Sequence, residues 1–265
     1  MRDQLIAEID TMQPPQPSNL SSPEQEDLLD ILPTVLATAA DLREMKADKT
    51  PECGQYSEMN WREPIGVLLR QIFKNERNSS TFRYEVSIHM PHSRAPIKVC
   101  SKDGARTTTD AGWLVILREY YLKAFQSPHE TRILENKSIL TSYPGSHLSI
   151  LLLACEFKTV SGGQPENQVM YDPGAAQEQL RALGVTNRIL YGLACSEEKV
   201  KVMWSKWSNK LMLLIGTAIQ LDMTKPSNGI RLFRFLRSIR EDRPTICKEL
   251  DSKALEDLVE CSTQC

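Results

Sequence analysis

The sequence predicts an α/β protein in which helices flank a central sheet. Three observations predict this class. Residues 147–158 form an apolar run that is short for a helix and typical of a strand buried on both faces. Apolar and polar residues alternate at 82–90 and 199–207, as they do in half-buried strands. Apolar residues recur at helical spacing at 60–75, before these strands, and residues 173–183, between two of them, are predicted to form a further helix.

Residues 1–58 predict an acidic extension that contains a linker and one helix. Residues 11–26 are rich in Pro, Ser and Gln, a composition typical of linkers. A Ser-Pro pair then predicts a helix at about 23–46, because Ser caps helices and Pro is favoured at the first helical position. Pro33 predicts a kink or a break in this helix.

Residues 59–241 predict the body of the protein. Its expected strands are 82–90, a short one at 97–100, 110–117, 147–158, 189–195, 199–207 and 211–221, the last as one strand or two. Its expected helices are 60–75, 173–183 and 229–241, and residues 118–143 are expected to be partly helical. Residues 160–173 contain two glycines and two prolines and predict a loop. Residues 242–265 predict an acidic tail with a helix at about 247–260.

Charge is segregated along the chain. Residues 1–60 hold 4 Lys/Arg and 12 Asp/Glu, residues 61–240 hold 25 and 15, and residues 241–265 hold 3 and 7. This pattern predicts a basic body that binds nucleic acid, DNA or RNA, with acidic termini available to a protein partner. The alternative is a basic surface shielded by the chain's own acidic segments. Four arginines at three-residue spacing in the last predicted helix are candidate phosphate contacts or a solvated face: Arg231, Arg234, Arg237 and Arg240.

Several classes of protein are not expected. No apolar run approaches the ~20 residues that cross a bilayer, so no membrane partner is predicted. The N-terminus has no hydrophobic core and is too acidic for a secretory or mitochondrial targeting signal. The seven cysteines form no Cys-x-x-Cys pair, which predicts a reduced, intracellular protein, nuclear or cytoplasmic, without a zinc knuckle.

The strand at 147–158 ends in Glu156-Phe157-Lys158. Residues i and i+2 of a strand point to the same side, so Glu156 and Lys158 share a face with Cα atoms roughly 6–7 Å apart. One interpretation is a salt bridge where the strand reaches the surface. The other is a metal-binding carboxylate beside a lysine that holds an attacking water. Asp110 begins a neighbouring predicted strand, so all three side chains are expected at one edge of the sheet.

These residue types suit metal-dependent hydrolysis of a phosphodiester. Mg²⁺ or Mn²⁺ prefers oxygen ligands, which Asp110, Glu156 and the main-chain carbonyl of Phe157 would supply. The lysine would orient the water and stabilise charge on phosphorus. Two glutamines of the helix that follows, Gln177 and Gln179, are candidates to position the lysine or the water, and otherwise lie on a solvent face. Glu63 in helix 60–75 is a further candidate, or it complements the helix dipole.

An acid on one core strand and Glu-x-Lys on the next resemble the PD-(D/E)xK nuclease superfamily, which has the restriction-endonuclease-like fold. The helix, strand, turn and strand of residues 177–207 resemble it too, and they are particularly similar to the nuclease-like domain associated with fungal-type protein kinases. The resemblance covers about residues 60–222. It implies an Mg²⁺-dependent nuclease or a nuclease-like nucleic-acid-binding domain. The alternative is a catalytically inactive pseudo-nuclease that serves as a protein-interaction scaffold.

The sequence departs from the family pattern in two ways at the first acid. Thr109 stands where the family usually has proline. The spacing from Asp110 to Glu156 is 46 residues, so a long insertion separates the two strands. Asp103 is the alternative to Asp110 as the first acid of the site.

Overall fold

The computed structural model describes residues 22–48, 56–74, 80–90, 100–101, 104–116, 149–159, 165–182, 185, 187–208 and 212–251. The helices in these ranges are α1 (Ser22–Ala47), α2 (Glu58–Ile72), α3 (Pro165–Ala182) and α4 (Pro226–Asp251). The strands are β1 (Ser80–Met90), β2 (Cys100–Ser101), β3 (Gly104–Ile116), β4 (Ser149–Lys158), β5 (Leu190–Ser196), β6 (Lys199–Ser208) and β7 (Met212–Asp222). The segment 118–143, which the sequence predicts to be partly helical, lies outside the described residues, as do Asp103 and residues 252–265.

The strands form one open mixed sheet in the order β1-β3-β4-β5-β6-β7, and the short β2 pairs with β3. Neighbouring strands are antiparallel except β4 and β5, which are parallel. A parallel pair needs a crossover connection, and α3 lies on that connection. The predicted α/β class, with a mixed sheet flanked by helices, is confirmed.

Strand β4 is the central strand that its apolar run predicts. Every residue from Ser149 to Phe157 is buried, and only Lys158 is partly exposed. The face of β4 and β5 that carries Glu156 packs against α3. Gly192 permits this packing, since a Cβ at that position would lie 2.4 Å from a methyl group of Val169 and 3.3 Å from the ring of Pro173.

Some element boundaries differ from the sequence predictions. Helix α3 begins at Pro165, within the predicted loop, and Pro173 lies inside it rather than at its start. Helix α1 runs through Pro33 without a break, and α4 continues through Pro244 to Asp251, past the predicted end at 241. In each case the helix is one side of a packed interface, and packing outweighs the local preference of proline to end a helix.

Strand β3 is also longer than predicted. It begins at Gly104, so Asp110 lies in the middle of the strand. The strand β7 is one continuous element rather than two. Because β4 pairs only with the second half of β3, Asp110 nevertheless stands where that pairing ends.

Helix α1 packs against α4 with its acids on the basic stripe. The guanidinium of Arg237 lies 3.1 Å from Asp27, 2.9 Å from Glu241 and 3.5 Å from Glu24. Arg240 lies 3.1 Å from the same Asp27 carboxylate. These contacts favour the shielded interpretation for this part of the stripe. None of the helices in the described ranges combines the length and apolar character that crossing a membrane requires.

Candidate functional site

The site forms where the backbone pairing of β3 and β4 ends. Ala111 and Cys155 make the final pair between these strands. Beyond it, side chains take over the hydrogen bonding. Oε1 of Glu156 accepts from the amide of Asp110 at 3.1 Å, and Oδ2 of Asp110 accepts from the amide of Phe157 at 2.8 Å. Each acid is therefore held by the backbone of the other strand.

Thr109 secures this arrangement from the preceding position. Its hydroxyl is fully buried, accepts from the amide of Cys155 at 3.2 Å and lies 2.9 Å from the carbonyl oxygen of Cys155. A proline at this position, as in the family pattern, would have no hydroxyl and could not make these contacts. The threonine hydroxyl thus joins the two strands beside Asp110.

The backbone opposite Asp110 is irregular. The register between β1 and β3 is continuous except that Glu85 and Asp110 do not pair, while their neighbours Tyr84–Ala111 and Val86–Thr109 do. Glu85 has φ 54, in the left-handed region that non-glycine residues seldom adopt. Irregular backbone of this kind is often found at functional sites.

The ammonium of Lys158 is surrounded by oxygen atoms. The nearest are Phe157 O at 2.8 Å, Asp110 Oδ2 at 3.3 Å, Glu58 Oε2 at 3.6 Å and Glu156 Oε2 at 3.7 Å. Burial by itself would lower the pKa of Lys158, but the carboxylates of Asp110 and Glu58 outweigh it and raise that pKa above its ordinary value. The lysine is therefore charged at neutral pH.

Glu156 is the most strongly perturbed acid of the site. Its side chain is fully buried, and Oε2 has no hydrogen-bond donor despite the nearby lysine. Burial raises the pKa of Glu156 to about 9, and the charges of Asp110 and Asp172 add to that shift. This carboxyl group thus requires either a proton or an additional cation.

Asp172 is a site residue that sequence reasoning missed. It lies on α3, is buried, and its negative charge raises the pKa of Glu156. The close packing of α3 on Gly192 brings it there. A signal does exist in the sequence, because Asp172 falls at helical spacing between the buried residues Val169 and Ala176. The glycines and prolines of residues 160–173 predict a loop there, and this prediction hides the helical spacing.

Helix α2 contributes Glu58 and Arg62 rather than the predicted Glu63. Glu63 is 61% exposed and pairs with Arg70 at 3.0 Å, away from the cluster. Glu58 is the first residue of α2, after a capping box formed by Ser57 and Asn60 that determines where the helix begins. The guanidinium of Arg62 donates to the carbonyl oxygen of Asp110 at 2.6 Å and stacks on Tyr84.

The side chain of Gln177 does not meet the acids of the site. Nε2 of Gln177 donates to the carbonyl oxygens of Ser205 at 2.8 Å and Arg188 at 3.1 Å. Ser205 pairs with Leu190 at the start of β5, whereas Glu156 pairs with Ala194 near its end. Gln177 therefore links α3 to the opposite end of β5, which contradicts its predicted role at the site. The side chain of Gln179 lies outside the described residues.

The donor atoms suit Mg²⁺ or Mn²⁺. The described residues contain no group of three or more His, Cys, Asp or Glu arranged to hold a metal ion. However, Mg²⁺ is commonly bound by one or two carboxylates together with carbonyl oxygens and waters. Asp110, Glu156 and the carbonyl of Phe157 provide that set, and all three already point at one cation, the Lys158 ammonium. The unsatisfied Oε2 of Glu156 is the atom that a metal ion would satisfy.

Comparison with known proteins identifies no relative. No family model, no curated protein and no solved structure matches this chain. The nuclease-like assignment is thus a prediction from the sequence motif, and the chemistry of the site follows from its own geometry.

Proposed function

We infer that the protein is a metal-dependent hydrolase of phosphodiesters, a nuclease of the PD-(D/E)xK type with a restriction-endonuclease-like fold. One observation carries this inference. Asp110, Glu156 and Lys158 meet at the point where β3 and β4 separate, although the two acids are 46 positions apart in the sequence. Helix α2 precedes the antiparallel strands β1, β3 and β4, after which α3 crosses over to β5, the parallel neighbour of β4. This order of elements supports the fold assignment.

Asp110, Glu156 and the carbonyl oxygen of Phe157 would hold Mg²⁺ or Mn²⁺. When bound, the ion lowers the pKa of a coordinated water and offsets negative charge on the phosphate. The protein contributes a rigid frame for these ligands. The amides of Asp110 and Phe157 each donate to the carboxylate on the opposite strand, and Arg62 holds the carbonyl of Asp110.

Lys158 would orient the attacking water and stabilise the charge that develops on phosphorus. Its raised pKa keeps the ammonium charged at neutral pH, and its side chain is 16% exposed, so it can meet a substrate at the surface. The four methylenes of the side chain are flexible, which allows the ammonium to leave the Phe157 carbonyl without movement of the backbone.

Nucleic acid is the substrate that the charge distribution favours. Residues 61–240 hold 25 Lys/Arg and 15 Asp/Glu, an excess of basic charge. Lys199 is exposed and pairs with Ser196, which in turn pairs with Lys158, so a second lysine lies at the same edge of the sheet. A phosphate backbone lying along this edge would contact both.

The test is cleavage of single- and double-stranded DNA and RNA with Mg²⁺ or Mn²⁺. Wild type should be compared with Lys158→Ala and Glu156→Gln, and with Lys206→Ala as a matched control near the opposite end of β6. Cleavage by wild type and Lys206→Ala, lost in the other two variants, is expected. Equal cleavage by all four would point to a contaminating nuclease, and no cleavage on any substrate would contradict the proposal.

The second candidate is a catalytically inactive scaffold, and one observation favours it. The ammonium of Lys158 already contacts the oxygens that would bind metal. Titration calorimetry with Mn²⁺ separates the two functions. A nuclease binds Mn²⁺ and loses this binding in Glu156→Ala, whereas a scaffold binds none and keeps its protein partner in Lys158→Ala.

A further inference from the structure

Helix α1 has apolar residues on two opposite faces. Its inner face carries Ile31, Val35 and Leu42, which are 2%, 1% and 0% exposed in the core. The outer face carries Leu29 and Leu36, which are 68% and 50% exposed. Pro33 and Ala40 lie on the same outer face and are also exposed. We call Leu29, Pro33, Leu36 and Ala40 the outer stripe.

The spacing of the outer stripe is that of a helix-pairing seam. Its residues follow one another at intervals of four, three and four, which places them along one line of an α-helix. Single exposed apolar residues are ordinary on protein surfaces, but aligned ones mark interaction sites. With all described residues in place, at least half of Leu29 and of Leu36 remains exposed.

The charges beside the outer stripe indicate the character of its partner. One flank carries the exposed acids Glu26, Asp30, Asp41 and Glu44. Asp30 pairs with Lys74 at 3.3 Å, and the other three form no ion pair within the described part of the chain. The two bases of α1 are already engaged: Arg43 donates to the carbonyl of Thr224, and Lys46 pairs with Glu198 at 2.7 Å.

A second copy of the chain is a poor occupant of this surface. Two antiparallel α1 helices joined along their outer stripes would bring their acidic flanks together, and of the two bases of α1 Lys46 is already paired with Glu198. A helix with an apolar seam and Lys or Arg along its flank matches both features, apolar surface against apolar surface and base against acid.

We propose that the outer stripe of α1 is the docking surface for a basic amphipathic helix of a partner protein. The surface is on the face of α1 that points away from the core, and the proposal does not depend on nuclease activity. The partner helix is recognised by apolar side chains at three- and four-residue spacing, which cover Leu29 and Leu36, and by basic residues that pair with Glu26, Asp41 and Glu44.

The test uses the full chain and two synthetic helical peptides with the same leucine seam, one with lysine flanks and one with glutamate flanks. Binding is measured by fluorescence anisotropy. Wild type should bind the lysine peptide, and added salt should weaken that binding. Leu29→Ser/Leu36→Ser should weaken it by about tenfold or more, because two apolar contacts are removed. Met59→Ser is the matched control, since Met59 is 62% exposed but lies on α2.

A second variant isolates the charges. Glu26→Gln/Asp41→Asn/Glu44→Gln keeps the outer stripe and should remove the preference for the lysine peptide over the glutamate peptide. The proposal is overturned if wild type binds neither peptide or binds both equally. It is also overturned if wild type self-associates with rising concentration and the leucine double variant does not, because the outer stripe would then belong to a second copy. Circular dichroism of each variant confirms that it remains folded.

Discussion

Two regions of the molecule place cations among carboxylates, and they differ in how the charges balance. At the contact of α1 with α4, Arg237 and Arg240 meet Glu24, Asp27 and Glu241, so two bases face three partly exposed acids. At the end of the β3–β4 pairing, Lys158 faces Glu58, Asp110 and Glu156, while Arg62 binds only the main-chain carbonyl of Asp110. There one acid, Glu156, is fully buried and Asp172 lies beside it. Both regions have more acids than bases, so it is the burial of acids that distinguishes the candidate site from a structural ion-pair network.

The largest effect is expected from Lys158→Ala. If the lysine stabilises the transition state, its loss should reduce cleavage by about 10²–10³-fold, the usual effect of removing one such group. Single-turnover cleavage measures this. By contrast, Arg237→Ala should leave cleavage unchanged, and an equal loss in both variants would remove the distinction between the two regions.

A pH dependence of stability is expected from Glu156. The pKa of Glu156 is about 9 in the folded protein and 4.5 for an ordinary glutamate. Between pH 4.5 and pH 9 the folded protein therefore binds one proton more than the unfolded protein. Stability should therefore be greatest at the acidic end and fall as pH rises from about 5 towards 9. Glu156→Gln should flatten this slope, which thermal unfolding between pH 5.5 and 8.5 would measure. A wild-type slope that persists in Glu156→Gln would assign the effect to another group.

Thr109→Val should destabilise the protein by about 1–3 kcal/mol, because it leaves buried backbone groups of Cys155 without the hydroxyl that contacts them. Thr109→Ser keeps the hydroxyl and should lose less stability. Urea unfolding measures both. Destabilisation by Thr109→Ser that equals or exceeds the destabilisation by Thr109→Val would contradict the leading role given to the hydroxyl.

The smallest effect is expected from the ion pairs between α1 and α4. Arg240→Gln removes one partner of Asp27 and should lower the free energy of unfolding by about 1 kcal/mol or less, an effect that salt reduces. Urea unfolding at low and high salt tests this expectation. A loss of several kcal/mol would show that burial strengthens the ion pairs of this network, as it strengthens the contacts of the β3–β4 site.

The candidate site could be predicted from sequence where local rules apply. The two-residue period of a strand places Glu156 and Lys158 on one face, and the apolar run before them predicts a strand buried on both sides. Asp110 could be proposed because it stands in a neighbouring strand, and its contact with Lys158 at 3.3 Å agrees with that proposal.

The wrong predictions share a cause. Glu63 and Gln177 have plausible chemistry on plausible helices, but the rotation and position of a helix against the sheet decide which of its side chains reaches a site. Rotation of α2 directs Glu58 and Arg62 to the cluster and leaves Glu63 in solvent with Arg70. The position of α3 directs Gln177 to Ser205 and Asp172 to Glu156.

The amino-acid sequence by itself determined the α/β class, the central strand β4 and the pairing of an acid with Glu-x-Lys. The reason is that the spacing of apolar residues along the chain reveals both the periodicity of an element and the face that it buries. Only the tertiary structure decided which further acids surround Lys158 and which arginines are covered by α1. Those outcomes depend on contacts between distant segments. Examples are the packing of α3 against Gly192 and the ion pairs of Asp27 with Arg237 and Arg240. The physical reason is that packing free energy, summed over a whole interface, exceeds the local preferences that a sequence displays.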